Sequence, residues 1–346
     1  MSEDIKRKIH SILAKYRDPV SNKYFNSEDP SININLENNH LNITIEINPS
    51  KAEHYEKLKD TITQDLKKID DILSINIILT SEKNNHLNKK PLKNFTINAD
   101  NIIAIASGKG GVGKSTFAVN FAVALKLLNL KVGILDADIY GPSIPRMMGV
   151  SSKPEVNKNN KLIPLEKFGI KCMSIGFLID VDTPAIWRGP MVMKALEQMF
   201  NGVEWGKLDY LIIDLPPGTG DAQLSLAQNS KLSGSIIIST PQAVALIDAR
   251  KGINMFKKVN VPVLGIVENM SYFLCNKCGE RHEIFSSGSI KNEAIKFDTP
   301  FLGELPIDKN LRINSDIGKP ICISDPEGEI AKIYLSIAKK INQSSI

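Results

Sequence analysis

Residues 107–116 read Ser-Gly-Lys-Gly-Gly-Val-Gly-Lys-Ser-Thr, and this stretch restricts the chain to a small set of folds. Gly108, Gly113, Lys114 and Ser115 fill the pattern G-x-x-x-x-G-K-[ST]. In such a loop the glycines let successive backbone N–H groups converge on phosphate oxygens, the lysine neutralises their charge, and the hydroxyl ligates Mg²⁺. The loop needs a strand to deliver it and a helix whose N-terminus faces the phosphates. Both flanks comply: Ile102-Ile103-Ala104-Ile105-Ala106 is an apolar run of strand length, and Ser115 to Leu130 carries helical apolar spacing. Gly108, Lys109, Gly110, Gly111, Val112, Gly113, Lys114, Ser115 and Thr116 are therefore the expected nucleotide-binding loop.

Acidic residues follow two further apolar runs. Lys131 to Leu135 ends in Asp136-Ala137-Asp138, where alternate residues of an extended segment face the same side. Tyr210-Leu211-Ile212-Ile213 ends in Asp214, followed by Pro216-Pro217-Gly218-Thr219-Gly220-Asp221. Open α/β sheets collect their ligands at the carboxyl ends of strands, where a Mg²⁺–nucleotide site needs carboxylates. A single aspartate in such a place is also a common helix cap or turn residue. Three in this order make Asp136, Asp138 and Asp214, with Ser115, the expected metal-side and catalytic groups of a phosphoryl-transfer site.

A fourth apolar run, Val263 to Val267, leads into Glu268-Asn269-Met270-Ser271-Tyr272-Phe273-Leu274-Cys275-Asn276-Lys277-Cys278-Gly279. The spacing C-x-x-C permits redox, zinc or iron–sulfur chemistry. The chain has four cysteines; Cys172 and Cys322 lie in apolar surroundings that suit small buried thiols, so a disulfide-built fold is excluded. Two thiolates do not complete a tetrahedral site, and a symmetric dimer contributing two from each chain is the simple solution. Cys275, Cys278 and His282 would also make most of a structural zinc ribbon, with a fourth ligand from elsewhere, so zinc stays open beside iron and sulfur; His282 itself is read as an exposed loop histidine.

The stretch K-G-G-V-G-K-S-T resembles the deviant Walker A group, which contains the MinD, ParA and Mrp-type ATPases. With Asp136-Ala137-Asp138-Ile139-Tyr140-Gly141-Pro142-Ser143, Trp187-Arg188-Gly189-Pro190-Met191, Asp214 to Asp221, Ser239-Thr240-Pro241-Gln242 and Glu268-Asn269-Met270-Ser271, residues of roughly 100 to 325 are similar to the bacterial Mrp family of iron–sulfur cluster carrier ATPases. That resemblance implies ATP binding with Mg²⁺, slow hydrolysis, and a labile cluster on the Cys275 and Cys278 of two protomers, delivered to apo iron–sulfur proteins. It gives Lys109 a reach across the dimer to the partner's phosphates, Lys114 the phosphates of its own chain and Asp138 the attacking water. It gives Asp214 a water-mediated hold on Mg²⁺, Gly218 a place in a γ-phosphate-sensing loop, Asn269 a contact with adenine, and Pro306 to Asn310 a place beside the base. The competing reading is a MinD- or ParA-type positioning ATPase with a structural zinc knuckle.

The remainder of the chain bounds these expectations. Its 346 residues, 42% hydrophobic and 23% charged, suit a globular protein with one large and one small domain. The net charge of +5 is spread along the chain, so no nucleic-acid surface is expected. The N-terminus has no apolar signal core and no run approaches the ~18 apolar residues of a spanning helix, which with free thiols points to the cytoplasm. Residues 1–80 read as helix, strand, strand, helix, strand with a hairpin turn at Glu37-Asn38-Asn39-His40, residues 81–98 as a solvated linker, and 99–346 as a doubly wound, mostly parallel α/β sheet with strands near 102, 132, 210, 235, 263 and 301. By analogy the small module is a docking surface for targets or scaffold proteins. The apolar stripe of Glu327 to Ile341 is expected to pack on the sheet and not to lie on a membrane.

Overall fold

The computed structural model describes residues 3–20, 22, 24–25, 32–37, 40–47, 52–69, 72–80, 97–178, 189–275, 277–286 and 288–344. Asn38 and Asn39 of the expected hairpin turn, most of the expected linker, and Trp187-Arg188 lie outside the described residues. The chain divides into two compact units, Met1–Pro91 and Leu92–Ile346.

The first unit runs α1 (Glu3–Leu13), β1 (Ile32–Glu37), β2 (His40–Glu46), α2 (Ala52–Leu66) and β3 (Ser74–Thr80). β2 is central: it pairs antiparallel with β1 from Ile32↔Ile45 to Glu37↔His40, and parallel with β3, to which α2 makes the crossover. Period-two patterning decides which face is covered. Leu41, Ile43 and Ile45 are buried with Ile9 and Leu13 of α1 and Ile62 and Leu66 of α2, whereas Asn42 is exposed.

The second unit continues with β4 (Ala99–Ala106), α3 (Lys114–Leu127), β5 (Val132–Asp136), α4 (Ile144–Met148), β6 (Leu165–Lys167), β7 (Ile170–Ser174), α5 (Gly189–Asn201), β8 (Leu208–Asp214), α6 (Asp221–Asn229), β9 (Gly234–Ser239), α7 (Ala243–Lys258) and β10 (Val263–Glu268). A short hairpin, β11 (Phe273–Leu274) and β12 (Arg281–His282), precedes α8 (Ser289–Lys296), β13 (Phe301–Glu304), α9 (Lys309–Asp316), α10 (Ile321–Ser324) and α11 (Glu329–Gln343). The large sheet has the order β13-β10-β9-β4-β8-β5-β7-β6, parallel except for β6, which pairs antiparallel with β7. β4, β5, β8 and β9 each carry a buried apolar stretch, residues 102–106, 132–135, 210–213 and 236–238, the pattern of parallel strands covered on both faces. α3 is buried on nearly every side, since α11 lies over it: the Phe117 and Tyr334 rings are 5.6 Å apart, and Ala331, Tyr334, Ile337, Ala338 and Ile341 are all buried. The apolar stripe of α11 is thus occupied within the fold.

The strands β6 and β7 have no counterpart in the sequence expectation. Charges at Glu166, Lys167 and Lys171 interrupt the run, and the turn between the strands is Phe168-Gly169, both left-handed at φ 52° and 71°. Two positive φ values make the tight turn that matches strand twist, but phenylalanine gives no turn signal there.

Candidate functional site

β8 lies between β4 and β5, so the chain ends of three neighbouring strands meet at one sheet edge. β4 delivers the loop 107–113, β5 delivers Asp136 and Asp138, and β8 delivers Asp214. Gly111 and Gly113 adopt φ 80° and 85°, conformations that side chains resist. Gly110 and Gly111 face open space, so a side chain there would fill the cradle. Ser107, Gly110, Gly111, Gly113, Lys114, Ser115, Thr116, Asp138, Met147 and Pro217 line a cleft of about 200 Å³ at the N-terminus of α3, where amide N–H groups and the helix dipole favour an anion.

Lys114 and Ser115 converge on one carboxylate. Lys114 Nζ, buried, donates to Asp214 Oδ1 at 2.7 Å and lies 3.9 Å from Asp138 Oδ2; Ser115 Oγ donates to Asp214 Oδ2 at 2.5 Å. A hydroxyl and a carboxylate side by side are hard oxygen donors, the set that suits Mg²⁺. Asp138 is held by the amides of Tyr140 and Gly141, and burial raises its carboxyl above the usual range while Lys114 pulls it back.

Asp136 has a different environment. It is fully buried, and its two oxygens accept from Asp138 N (3.2 Å), Ile144 N (3.1 Å) and Ser174 Oγ (3.0 Å). Burial, then the neighbouring charge of Asp214, pushes its carboxyl up to about 7. Through Asp138 N and Ile144 N, Asp136 braces the loop carrying Asp138. Ser174 was not among the expected residues, because its strand was not recognised.

Three other expected residues have partners within the chain. Lys109 Nζ donates to Gln242 Oε1 at 3.3 Å. Gly218, at φ 97°, donates its amide to Ser107 O at 2.9 Å. Asn269 is buried behind the phosphate loop, its Nδ2 donating to Val112 O at 2.8 Å and its backbone N to Ser239 O at 2.8 Å. The segment after Glu304 runs beside it, with Ser271 N on Leu305 O (3.0 Å) and Ile307 N on Tyr272 O (2.7 Å).

The cysteines sit at the tip of the β11–β12 hairpin. Cys275 N donates to Glu280 O (2.9 Å), Gly279 N donates to Cys275 O (2.8 Å), and Gly279 closes the turn at φ 72°. The Cys275 thiol is held below its usual range by the backbone amides of Cys278 and Lys277, then by the Cys278 thiol. Amide donors pointing at sulfur favour thiolate, the form that binds metal. Cys172 and Cys322 are the opposite case: burial pushes both up to about 12. Among the described residues no three His, Cys, Asp or Glu side chains converge as a metal cluster. His282 does not join the pair; its exposed ring lies 6.4 Å from that of Phe273, with Nε2 3.8 Å from Glu280 Oε2.

A family profile described as ParA, NUBPL iron-transfer P-loop NTPase matches residues 98–342. The chain belongs to this family. Over 312 residues it is 44% identical to an iron–sulfur cluster carrier protein of Helicobacter pylori, covering 90% of this chain and 84% of that protein. It is 47% identical over 294 residues to the carrier of Escherichia coli, covering 83% and 78%. It is 54% identical over 241 residues to the mitochondrial iron–sulfur protein required for NADH dehydrogenase of Arabidopsis thaliana, covering 69% and 77%. Among solved structures it resembles the nucleotide-binding protein of Archaeoglobus fulgidus in complex with ADP, at 41% identity and a TM-score of 0.60 over 68% of this chain and 93% of that one. The cell-division ATPase MinD of Pyrococcus furiosus shares the fold at 22% identity and a TM-score of 0.53, covering 70% and 98%. The chain is accordingly a P-loop NTPase of this family. No described helix is long and apolar enough to cross a membrane.

Proposed function

We propose that this protein is a homodimeric, ATP-dependent carrier that holds an iron–sulfur cluster between the Cys275 and Cys278 of two protomers and passes it to apo iron–sulfur proteins in the cytoplasm. The observation that carries this is the cysteine hairpin. One chain offers a C-x-x-C pair at an exposed turn, its Cys275 thiol held low by backbone amides, on the same unit as a P-loop site and without a third ligand among the described residues. That favours a cluster shared across a two-fold axis over a zinc ribbon completed within the chain. The names of the relatives, iron–sulfur cluster carrier proteins, support a cluster as the cargo.

In this function the amides of residues 110–115 receive the nucleotide phosphates, and Lys114 exchanges Asp214 for phosphate oxygen. Ser115 and Asp214 are the residues that would hold Mg²⁺, which when bound neutralises charge developing on the phosphates. Asp138 orients the attacking water and accepts its proton at the carboxylate. Asp136 acts as a positioning group for Asp138, whose backbone N donates to it together with Ile144 N and Ser174 Oγ. Lys109 leaves Gln242 for the partner's phosphates, and Asn269 contacts the adenine while keeping its grip on Val112. The small first unit docks targets or scaffold proteins.

Anaerobic reconstitution with iron and sulfide tests the assignment. The wild-type chain should gain visible charge-transfer absorbance, and the Cys275→Ser/Cys278→Ser chain should bind nucleotide without it. A double variant that still holds about one cluster per dimer would refute the cysteine assignment.

A further inference from the structure

The segment leaving β10 touches both functional places. Asn269 grips the phosphate loop at Val112 O, and two residues later Ser271 Oγ lies 2.5 Å from Glu268 Oε1 and 3.1 Å from Glu304 Oε2. Glu304 Oε2 in turn accepts from Arg281 Nη2 at 2.6 Å, and the Arg281 guanidinium lies 3.9 Å over the Tyr272 ring. Arg281 opens β12 opposite Leu274, the residue before Cys275. One charged pair and one stacked ring therefore tie the cysteine hairpin to the end of the sheet.

This route is stiff at one end and yielding at the other. A Cβ on Gly113 would sit 2.2 Å from Asn269 Nδ2, so the loop and Asn269 are already in contact and displacement of one must move the other. Glu268 does not move readily, because it is buried and accepts from Ile290 N at 3.0 Å. Met270, between Asn269 and Ser271, occupies the left-handed region at φ 56°, a strained conformation for a non-glycine residue. Beside the Arg281–Glu304 pair a cleft of about 310 Å³, lined by Tyr272, Gly303, Ser336 and Lys340 among others, leaves the guanidinium space to shift.

We propose that Arg281 and Glu304 are positioning residues that carry the state of the phosphate loop, through Asn269–Ser271, to the arrangement of Cys275 and Cys278. This rests on the nucleotide-dependent carrier function proposed above. Phosphate settling on the backbone around Val112 and Gly113 moves Asn269. The strained turn relays that motion to Ser271 and Glu304, and the ion pair sets the hairpin. A ligand shifts such an equilibrium only by differential contacts with the two arrangements, and phosphate on the Val112–Gly113 backbone, which Asn269 grips, is placed to make them.

The test is the alkylation rate of Cys275 and Cys278 in full-length, cluster-free protein with and without Mg-ADP, at equal dimer fraction by sedimentation. Buried Cys172 and Cys322 serve as unreactive references. Wild type should change rate by about fivefold or more on nucleotide binding. Arg281→Ala should keep nucleotide affinity within about threefold yet lose that change, and Arg281→Lys, which keeps a cation for Glu304 and the Tyr272 ring, should retain most of it. A wild-type rate indifferent to nucleotide, an Arg281→Ala chain that still responds, or an Arg281→Lys chain as unresponsive as Arg281→Ala would overturn the proposal. Failure of the carrier function itself would appear separately, as a wild-type chain that retains no cluster while its thiols still respond to nucleotide.

Discussion

Two neighbouring glycines of the phosphate loop should fail in different ways when given a methyl group. A Cβ on Gly108 would lie 2.3 Å from Asp248 C and 2.4 Å from both Asp248 Cβ and O, in the body of α7. Backbone inside a helix cannot step aside, so Gly108→Ala overpacks the fold at about 1–3 kcal/mol. At ~2–4 °C per kcal/mol for a domain of this size, the nucleotide-free melting temperature should fall by roughly 2–12 °C. A Cβ on Gly110 meets nothing within 4 Å and projects into the cleft. Gly110→Ala should therefore melt within about 1 °C of wild type without ligand, since open surface substitutions rarely exceed ~0.5 kcal/mol. Its penalty appears on binding, where the methyl occupies space needed by phosphate oxygens. With Mg-ADP at 100 times the wild-type Kd, wild type gains ~2.7 kcal/mol, whereas a tenfold weaker variant gains about 1.4 kcal/mol, roughly half the thermal shift. Differential scanning fluorimetry with and without Mg-ADP reads all four numbers. A Gly108→Ala chain melting like wild type, or a Gly110→Ala chain with the full ligand shift, would refute the placement of the loop between α7 and the phosphates.

Asp138→Ala should bind Mg-ATP near normally and hydrolyse it at least ~100-fold more slowly in a phosphate-release assay; unchanged turnover would move the water-positioning role elsewhere. Mixing inactive Lys109→Ala chains with inactive Asp138→Ala chains should restore part of the hydrolysis, because one site of the heterodimer has its own Asp138 and a Lys109 from the partner. No recovery with heterodimers demonstrated would mean that Lys109 acts within its own chain, as its contact with Gln242 already allows. Asp136 predicts a pH effect in the nucleotide-free protein. Its folded carboxyl titrates at about 7, above the ordinary carboxylate value, so its stabilising contribution is complete below about pH 4 and is lost as pH rises through about 7. The stability deficit of Asp136→Asn relative to wild type should therefore shrink between about pH 5 and 8 in chemical denaturation, and a constant or widening gap would contradict the burial of that carboxyl.

The chemistry-bearing segments were legible because each lies at the end of an apolar strand, where sequence pattern and site location coincide. The phosphate loop, Asp136-Ala137-Asp138, Asp214 and the cysteine pair could all be read this way, as could the parallel sheet that gathers them. Partner choice was not legible. Lys114 meets Asp214 because β8 inserts between β4 and β5, a strand order that no local pattern encodes. Period two puts Asp136 beside Asp138, but its donors Ile144 N and Ser174 Oγ come from a short helix and from a strand hidden by its charges and its Phe168-Gly169 turn. Asn269 likewise gives no hint in sequence that it closes against Gly113, and Arg281–Glu304 joins segments 23 residues apart through a contact that only the folded edge creates.

Cluster transfer tests the central claim most directly. Reconstituted protein, freed of unbound iron and sulfide, is mixed with a cluster-free iron–sulfur acceptor in the presence of a chelator, and acceptor cluster content is followed by circular dichroism or recovered activity. Wild-type protein should load the acceptor faster than an equal amount of free iron and sulfide, in a manner that depends on Cys275, Cys278 and Mg-ATP. Equal loading by the Cys275→Ser/Cys278→Ser chain, or by free iron and sulfide alone, would contradict a carrier built on this hairpin.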